Sequence, residues 1–158
     1  MSPYIWFDAG LDDDRLQVLW EDGDCKLHRV RPKDGQEDRA SVLVLQLTSQ
    51  SRPPASVDRL AHEYGLKDHL DGAWAVRPLE LVRDRDRTIL VLEDPGGDPL
   101  DRHLAAPMEM PRFLQLAISI SAALRQVHQR GLVHRDLKPA HILVDGMGGQ
   151  IRDRKSVV

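Results

Sequence analysis

The sequence lacks the features that mark three common classes of protein. A single cysteine, Cys25, cannot form a disulfide within the chain, and no group of Cys and His residues has the spacing of a zinc site. No apolar run is long enough to cross a membrane, and residues 1–10 lack the basic segment and apolar run of a secretory signal. The 22 basic and 25 acidic residues nearly balance, so no positive excess favours nucleic acid or an anionic membrane. We therefore expect a cytoplasmic protein without membrane insertion, whose partner is a nucleotide or another protein.

The first part of the chain has the pattern of a small sheet with one helix. Apolar alternation around the turn signal at Gly23 predicts two strands and a tight hairpin within residues 16–30. Ser56 is predicted to cap a helix that continues to about His69 and buries one apolar stripe. Further strands are predicted at residues 41–47, 74–82 and 88–93. Five strands and one helix therefore form a sheet-rich unit.

A linker and a long helix follow this unit. Residues 94–99 contain two prolines and two glycines, which is typical of a connection between two units. Pro111 is placed to open a helix with a broad apolar face, and Gly131 is placed to end it in a left-handed conformation. The width of the apolar face predicts that this helix is buried in the core of a second unit. A short strand is expected at residues 142–144.

The segment HRDLKP at residues 134–139 carries the most specific chemical signal in the sequence. Moving a phosphoryl group between oxygens requires that the attacking hydroxyl is positioned and that the spreading negative charge is neutralised. Asp136 can accept the hydroxyl proton, and Lys138 can contact the phosphate as a point charge. Pro139 fixes its own backbone angle and biases Lys138 towards an extended conformation. The segment is therefore predicted to be a rigid catalytic loop rather than a solvated surface turn.

This segment resembles the catalytic loop of the eukaryotic-like Ser/Thr protein kinases, which reads H-R-D-L-x-x-x-N. The resemblance implies that Asp136 is the catalytic base and that Lys138 contacts the transferred phosphate. It also implies an α+β fold, in which a five-stranded N-lobe with one helix precedes the start of a helical C-lobe. The implied units are an N-lobe at residues 1–93, a hinge linker at 94–99, a partial C-lobe with the catalytic loop at 100–152, and a non-native tail at 153–158.

The resemblance implies ATP and Mg as cofactors, but the nucleotide-binding positions depart from the family pattern. Gln46 falls where active kinases have a lysine that contacts the ATP phosphates, and sliding the alignment by one residue puts Leu45 there. Glu63 matches the glutamate on the following helix, although a solvated carboxylate on the helix flank explains it equally well. Glu93 and Asp94 mark the hinge, whose backbone rather than side chains would contact adenine.

The phosphate and metal positions depart from the pattern as well. His141 takes the place of the magnesium-binding Asn, and an imidazole nitrogen is a softer ligand than magnesium prefers. The hairpin around Gly23 carries three carboxylates in place of the glycine-rich backbone that would admit phosphates. Lys26 offers a positive charge in place of the missing lysine, although strand lysines are usually only solvated. A second interpretation therefore stays open, a pseudokinase-like regulatory module that binds partner proteins and uses nucleotide weakly or not at all.

The end of the sequence lacks the Asp-Phe-Gly segment that holds magnesium in the family. Residues 153–158 read like a translated sequencing adaptor, so we expect an N-terminal fragment that is inactive alone. Sequencing the source DNA across the codons for residues 149–158 tests this expectation. Residues 90–97 and 116–144 resemble most closely the N-terminal kinase-like domains of large bacterial signalling proteins, in which an ATPase module and a sensor histidine kinase follow. The implied activity is transfer of the ATP γ-phosphoryl group to Ser or Thr of a protein substrate.

Overall fold

A computed structural model describes residues 16–32, 40–48, 54–84, 87–145 and 151–153. Within these ranges the strands are β1 (Leu16–Glu21), β2 (Cys25–Val30), β3 (Val42–Leu47), β4 (Pro78–Asp84), β5 (Arg87–Glu93), β6 (Asp98–Pro99), β7 (Ile142–Val144) and β8 (Ile151–Asp153). The helices are α1 (Pro54–Gly65), α2 (Leu100–His103) and α3 (Met110–Gln129), with short 3-10 turns at Lys67–His69 and Pro139–His141. Of the predicted tail at residues 153–158, only Asp153, the last residue of β8, lies within the described residues.

The first five strands form one antiparallel sheet in the order β1-β2-β3-β5-β4. The predicted α+β fold, with a five-stranded sheet and one helix in the first unit, is therefore confirmed. β1 and β2 are joined by the predicted hairpin, where Asp22 Oδ1 accepts the N–H groups of Asp24 at 3.2 Å and Cys25 at 3.1 Å. A second sheet, in the order β6-β7-β8, brings the segment after the catalytic loop against the end of the linker.

Both ends of the predicted helix and the start of one predicted strand differ from the sequence prediction. The helix α1 begins at Pro54, so Ser56 lies inside its first turn and does not cap it, because proline is itself favourable at a helix start. α1 ends at Gly65, and His69 belongs to the separate 3-10 turn. The strand β4 begins at Pro78 because Asp71 closes a turn first, accepting the N–H of Trp74 at 3.1 Å through its backbone carbonyl. The predicted strand start at residue 74 is wrong.

The two faces of the sheet bury different apolar clusters. Leu27, Leu43 and Leu45 share one cluster with Leu60 of α1 and Leu143 of β7. Because side chains alternate along a strand, the intervening residues of β2 and β3 face the other way. There Val30, Val42, Val44 and Val91 form a second cluster. The first face is thus the one that meets α1 and the second unit, and it is called the inner face below.

The helix α3 is less buried than its apolar width predicts. Leu116, Ala123 and Val127 are buried, but Phe113 is 54% and Ile118 69% exposed. The expectation that the whole broad face is buried is therefore wrong for these side chains, because only one narrow stripe contacts the rest of the described chain. Within the described ranges, no helix combines the length and apolar character needed to cross a lipid bilayer.

His28 on β2 makes the stability of the sheet sensitive to acid. The side chain is 5% exposed, and in the described structure neither ring nitrogen has a hydrogen-bond partner. Burial lowers the pKa of His28 below 6.5, and the neighbouring Lys26 lowers it further, while Glu21 raises it. At acidic pH the folded state therefore binds fewer protons than the unfolded state. The free energy of unfolding falls as the pH drops below the ordinary histidine pKa of 6.5.

We expect the substitution His28→Leu to remove this acid sensitivity. Urea unfolding of the wild type should show lower stability at pH 5 than at pH 7.5, and the difference should be clearly smaller in His28→Leu. The substitution His62→Gln, at an exposed position of α1, is the control and should keep the wild-type difference. An unchanged pH dependence in His28→Leu would assign the acid sensitivity to other groups.

Candidate active site

The HRDLKP segment forms a short, tightly turned loop after α3. Gly131 ends α3 with a φ of +72°, as predicted for a left-handed cap. His134 is 6% exposed and anchors the loop in the interior. Arg135 adopts a φ of +41°, and the N–H of Asp136 donates to the carbonyl of His134. The predicted extended conformation of Lys138 is confirmed by its φ of −150° and ψ of 156°.

His141 holds the loop from inside through the backbone of Asp136. The imidazole of His141 is fully buried, and its Nδ1 lies 2.9 Å from the carbonyl oxygen of Asp136. Because a carbonyl can only accept, Nδ1 carries the proton in this contact. The Asp136 carboxylate, whose side chain is 45% exposed, lies with Oδ2 at 3.8 Å from the same nitrogen. Asp136 is thus positioned by a buried ring while its carboxylate stays accessible.

The described residues around the loop do not form a ready-made magnesium site. Among the described residues, no group of three or more His, Cys, Asp or Glu side chains is placed to hold a metal ion. His141 directs its Nδ1 to a carbonyl oxygen, and magnesium prefers oxygen ligands in near-octahedral geometry. The assignment of His141 as a metal ligand therefore receives no support from the geometry around it.

Lys138 contacts the hairpin between β1 and β2. Its Nζ lies 3.6 Å from Asp22 Oδ2 and 5.2 Å from the centre of the Trp20 ring. The same indole and the ring of His141 form a T-shaped contact, with centroids 5.1 Å apart and planes at 71°. The hairpin thus reaches two residues of the catalytic loop, although it is more than a hundred residues away in the sequence.

Gln46 and Glu63 are not brought together. Gln46 pairs with Lys26 across β2 and β3, while Leu45 pairs with Leu27 on the inner face. Gln46 and Lys26 therefore lie on the face of the sheet that points away from α1. Glu63 is on α1 and is 4% exposed. Lys26 instead forms an ion pair with Glu21 at 3.2 Å. On the inner face β3 presents Leu45, which shares a buried cluster with Leu60 of α1, so this strand position holds no lysine.

Asp94 in the linker is the centre of a buried polar network. Its carboxylate, 1% exposed, receives Arg29 Nε at 2.8 Å and Arg29 Nη2 at 3.0 Å. Ser41 Oγ donates to it at 2.6 Å and the Gly96 N–H at 3.0 Å. Arg29 Nη2 also donates to the Gly97 carbonyl at 2.7 Å. Both Asp94 oxygens are therefore used to fix the linker to β2 and to the segment just before β3.

Gly97 allows this linker to approach β7 closely. Its φ is +73°, and a Cβ at this position would lie 2.5 Å from the carbonyl oxygen of Val144. Any side chain would thus collide with the β7 backbone, which is paired with β6 at the end of the linker. The glycine noted in the sequence as linker punctuation is required here by close packing.

The linker has few backbone N–H groups left for a ligand. Pro95 has none, and that of Gly96 donates to Asp94. The Glu93 N–H donates to the carbonyl of Arg77 at 2.9 Å, and its carboxylate pairs with Arg77 Nε at 3.0 Å. Glu93 and Asp94 therefore act structurally in this conformation, and the expected backbone contact to adenine is restricted.

The inner face of the sheet packs directly on β7. Leu27, Leu43 and Leu92 are fully buried, and Leu143 of β7 is 2% exposed in the same cluster. These side chains come from the strands on one side and from the segment after the catalytic loop on the other. A flat ligand between the sheet and β7 would have to separate them.

A five-stranded antiparallel sheet whose first hairpin contacts an HRD loop is the arrangement of the protein kinase class, and comparison of the sequence agrees. Residues 34–153, more than half of the chain, match the protein kinase domain family. The chain belongs to this family. Protein kinase domains in general use ATP with a divalent metal ion to phosphorylate proteins.

Three similar curated proteins are named as protein kinases, two of them as serine/threonine-protein kinases. The DNA damage-responsive serine/threonine-protein kinase RqkA of Deinococcus radiodurans is 30% identical over 138 residues, which cover 84% of this chain and 20% of RqkA. Serine/threonine-protein kinase LATS1 of Mus musculus is 33% identical over 98 residues, 58% of this chain and 8% of LATS1. CBL-interacting protein kinase 4 of Oryza sativa is 35% identical over 101 residues, 61% of this chain and 20% of that kinase. The chain thus spans a fifth or less of these relatives.

Sequence reasoning identified the catalytic loop but missed the residues that touch it. Trp20 was not singled out, and Asp22 was considered only as a source of repulsion. Arg29 carried no signal, because its partner Asp94 is 65 positions away. Arg102 of α2 was also missed, although it donates to the backbone carbonyls of β1. None of these contacts follows from local spacing, so only the folded arrangement reveals them.

Proposed function

We propose that this chain is the N-lobe and catalytic loop of a Ser/Thr protein kinase, with ATP as the phosphoryl donor and a protein hydroxyl as the acceptor. One observation carries the proposal: Asp136 and Lys138 lie on the same loop, which buried histidines hold in place, and both side chains are partly accessible. A merely solvated turn would not need a fully buried His141 to hold its backbone.

The proposed step is an in-line transfer of the γ-phosphoryl group. The hydroxyl oxygen of the acceptor bonds to the γ-phosphorus as the bond from that phosphorus to the bridging oxygen of ADP breaks. Asp136 accepts the hydroxyl proton, and Lys138 stabilises negative charge on the transferred group. In this proposal His141 positions Asp136 through its backbone carbonyl and does not hold magnesium.

The residues predicted to bind the nucleotide have less direct roles in the proposal. Glu93 and Asp94 shape the linker that lies beside the nucleotide, through their contacts with Arg77 and Arg29. Glu63 is buried on α1, which packs on the inner face of the sheet, and the residue that β3 presents on that face is Leu45 rather than a lysine. Gln46 would have to act from the opposite face of the sheet, so a role in nucleotide binding requires β3 to rotate or shift register.

A second candidate function is a regulatory module that binds partner protein domains and uses nucleotide weakly or not at all. Three observations favour it. The inner face of β3 has Leu45 where a charge would contact phosphates, the linker offers few N–H groups, and Leu27, Leu43 and Leu143 fill the space between the sheet and β7. Binding ATP would require these leucines to separate, which costs buried apolar contact.

Measuring ATP binding and phosphoryl transfer together separates the two candidates. Isothermal titration with ATP, with and without Mg²⁺, is combined with transfer of labelled phosphate to a generic Ser/Thr protein substrate. We expect binding by the 158-residue chain and transfer by the full product of the source gene. The regulatory module predicts no binding heat even at about 1 mM ATP and no transfer by either protein. Transfer without Ser or Thr phosphorylation would contradict the proposed acceptor.

The finer relationship to N-terminal kinase-like domains of bacterial multidomain signalling proteins is also a proposal. It rests on residues 90–97 and 116–144, which include the linker, most of α3 and the catalytic loop. In such an arrangement the natural partners would be the protein substrate or the domains that follow in the same polypeptide. Sequencing the complete source gene would decide it, because an ATPase module and a histidine kinase must then follow.

A further inference from the structure

We propose that the β1–β2 hairpin is an intramolecular latch, in which Asp22 occupies Lys138 in place of a phosphate and Trp20 covers the loop beside it. The proposal rests on the proposed function, since it names how the phosphate-contacting residue is regulated. A nucleotide phosphate would have to displace Asp22 before Lys138 can serve in transfer.

The tip of the hairpin is held rigidly. Asp22 Oδ1 accepts two backbone N–H groups within the turn, which leaves Oδ2 directed at Lys138. Thr48, just after β3, donates to the carbonyls of Gly23 at 2.9 Å and Asp24 at 2.9 Å. The carboxylate is therefore presented by a braced turn, and its contact with Lys138 does not require a mobile loop to find its place.

The contact involves an aromatic ring as well as a charge. Lys138 Nζ lies over the Trp20 ring, and the same ring meets His141 edge-on. A cation over an indole ring and a T-shaped contact between two aromatic rings are both favourable. Trp20 thus joins the residue proposed to contact phosphate to the residue that positions Asp136.

A second contact holds β1 in place, made by the helix α2 that follows the linker in the sequence. Arg102 of α2 donates through Nη2 to the carbonyls of Val18 at 2.7 Å and Leu19 at 3.1 Å. Its Nη1 lies 3.3 Å from Asp98. Because Arg102 binds backbone atoms of β1 immediately before Trp20, it keeps the hairpin over the catalytic loop.

The charges explain why this arrangement opposes nucleotide binding. A carboxylate at Lys138 satisfies the same cation that a phosphate would approach, and Asp24 adds negative charge at the hairpin, where Glu21 is paired with Lys26. The Lys138 and Asp22 side chains are each 38% exposed, so the ion pair is screened by water and is weak enough to be displaced. The latch is therefore reversible and should weaken with salt.

The substitution Asp22→Asn tests the latch with the fold preserved. Asparagine keeps an Oδ1 that can close the turn but loses the charge at Lys138. The matched control is Asp24→Asn, which removes the same charge from an exposed position of the same turn.

Affinity for ATP and for inorganic tripolyphosphate is measured by isothermal titration at low and high salt. We expect Asp22→Asn to bind about three- to fivefold more tightly than Asp24→Asn at low salt, with a smaller ratio at high salt. A ratio near one would overturn the proposal, because net charge alone would then explain any gain.

Hydrogen exchange without ligand keeps this test independent of the proposed function. If the latch exists, the amides of residues 134–141 should exchange faster in Asp22→Asn than in the wild type. Exchange of the same amides in Asp24→Asn should match the wild type. If no variant binds either phosphate probe, the proposed function fails, but the exchange result still decides whether the latch exists. Equal exchange in both variants overturns the latch even if ATP binds.

Discussion

Replacing Arg29 by alanine is expected to lower the free energy of unfolding by about 3 to 5 kcal/mol. The Arg29 and Asp94 side chains are 10% and 1% exposed, and they share two hydrogen bonds. Without Arg29, the Asp94 carboxylate would remain buried with only Ser41 and the Gly96 N–H as donors, and the Gly97 carbonyl would lose its partner. Urea unfolding followed by circular dichroism measures the loss.

The neighbouring pair of Arg77 and Glu93 provides the matched control. Its side chains are 49% and 35% exposed, so Arg77→Ala should cost no more than about 1 kcal/mol. Equal effects of Arg29→Ala and Arg77→Ala would contradict the view that the linker network is buried and structurally decisive. The comparison removes one arginine in each case and therefore controls for the change in net charge.

Acid should reduce the difference between wild type and Arg29→Ala. Burial by itself raises the pKa of Asp94, but hydrogen bonds from Arg29, Ser41 and the Gly96 N–H outweigh it and bring the pKa below 3.8. A carboxylate with a lowered folded pKa contributes its stability in full above the unfolded value, and this contribution is lost as pH falls through the lowered pKa. The advantage of wild type over Arg29→Ala should therefore shrink below pH 3.8.

Replacing Asp136 by asparagine is expected to lower the rate of phosphoryl transfer about 10²- to 10⁴-fold. Asparagine has nearly the same shape but cannot take up the hydroxyl proton. His141 binds the backbone carbonyl of residue 136, so the loop should keep its conformation in Asp136→Asn. The measurement is the turnover number of the full product of the source gene, with ATP and a Ser/Thr protein substrate.

The control for this change is Asp145→Asn, at an exposed carboxylate directly after β7. It removes one negative charge near the site but not the base, so turnover should stay close to that of the wild type. Unchanged turnover in Asp136→Asn would show that another group accepts the proton. The affinity for ATP should be nearly the same in both variants, since Asp136 is proposed to act on the acceptor hydroxyl.

Much of the fold was predictable because the responsible signals are local. The Asp-Gly turn at residue 23 predicted the hairpin, and alternating apolar residues predicted the strands of the first sheet. Gly131 predicted the helix end because glycine readily adopts a left-handed conformation, and Pro139 predicted the extended Lys138 because proline restricts the residue before it. The predicted helix cap at Ser56 was wrong because proline starts the helix two residues earlier. The predicted strand start at Trp74 was wrong because Asp71 closes a turn there.

The candidate site was predictable only as far as its chain segment. The order of residues 134–139 identified the loop without any knowledge of packing, because the chemistry needs a base and a cation within a few residues. The face of β3 could not be predicted in the same way. A shift of one residue exchanges Gln46 for Leu45 on the inner face, and only pairing with β2 and packing against α1 select between them.

The sequence by itself thus determined the order of elements, the linker and the catalytic loop, since turn chemistry and periodicity act over a few residues. The tertiary structure alone decided that Arg29 holds Asp94, that Asp22 and Trp20 meet Lys138, and that much of the apolar face of α3 stays exposed. These contacts join residues far apart in the chain, and their energies depend on burial and distance, which no local pattern encodes.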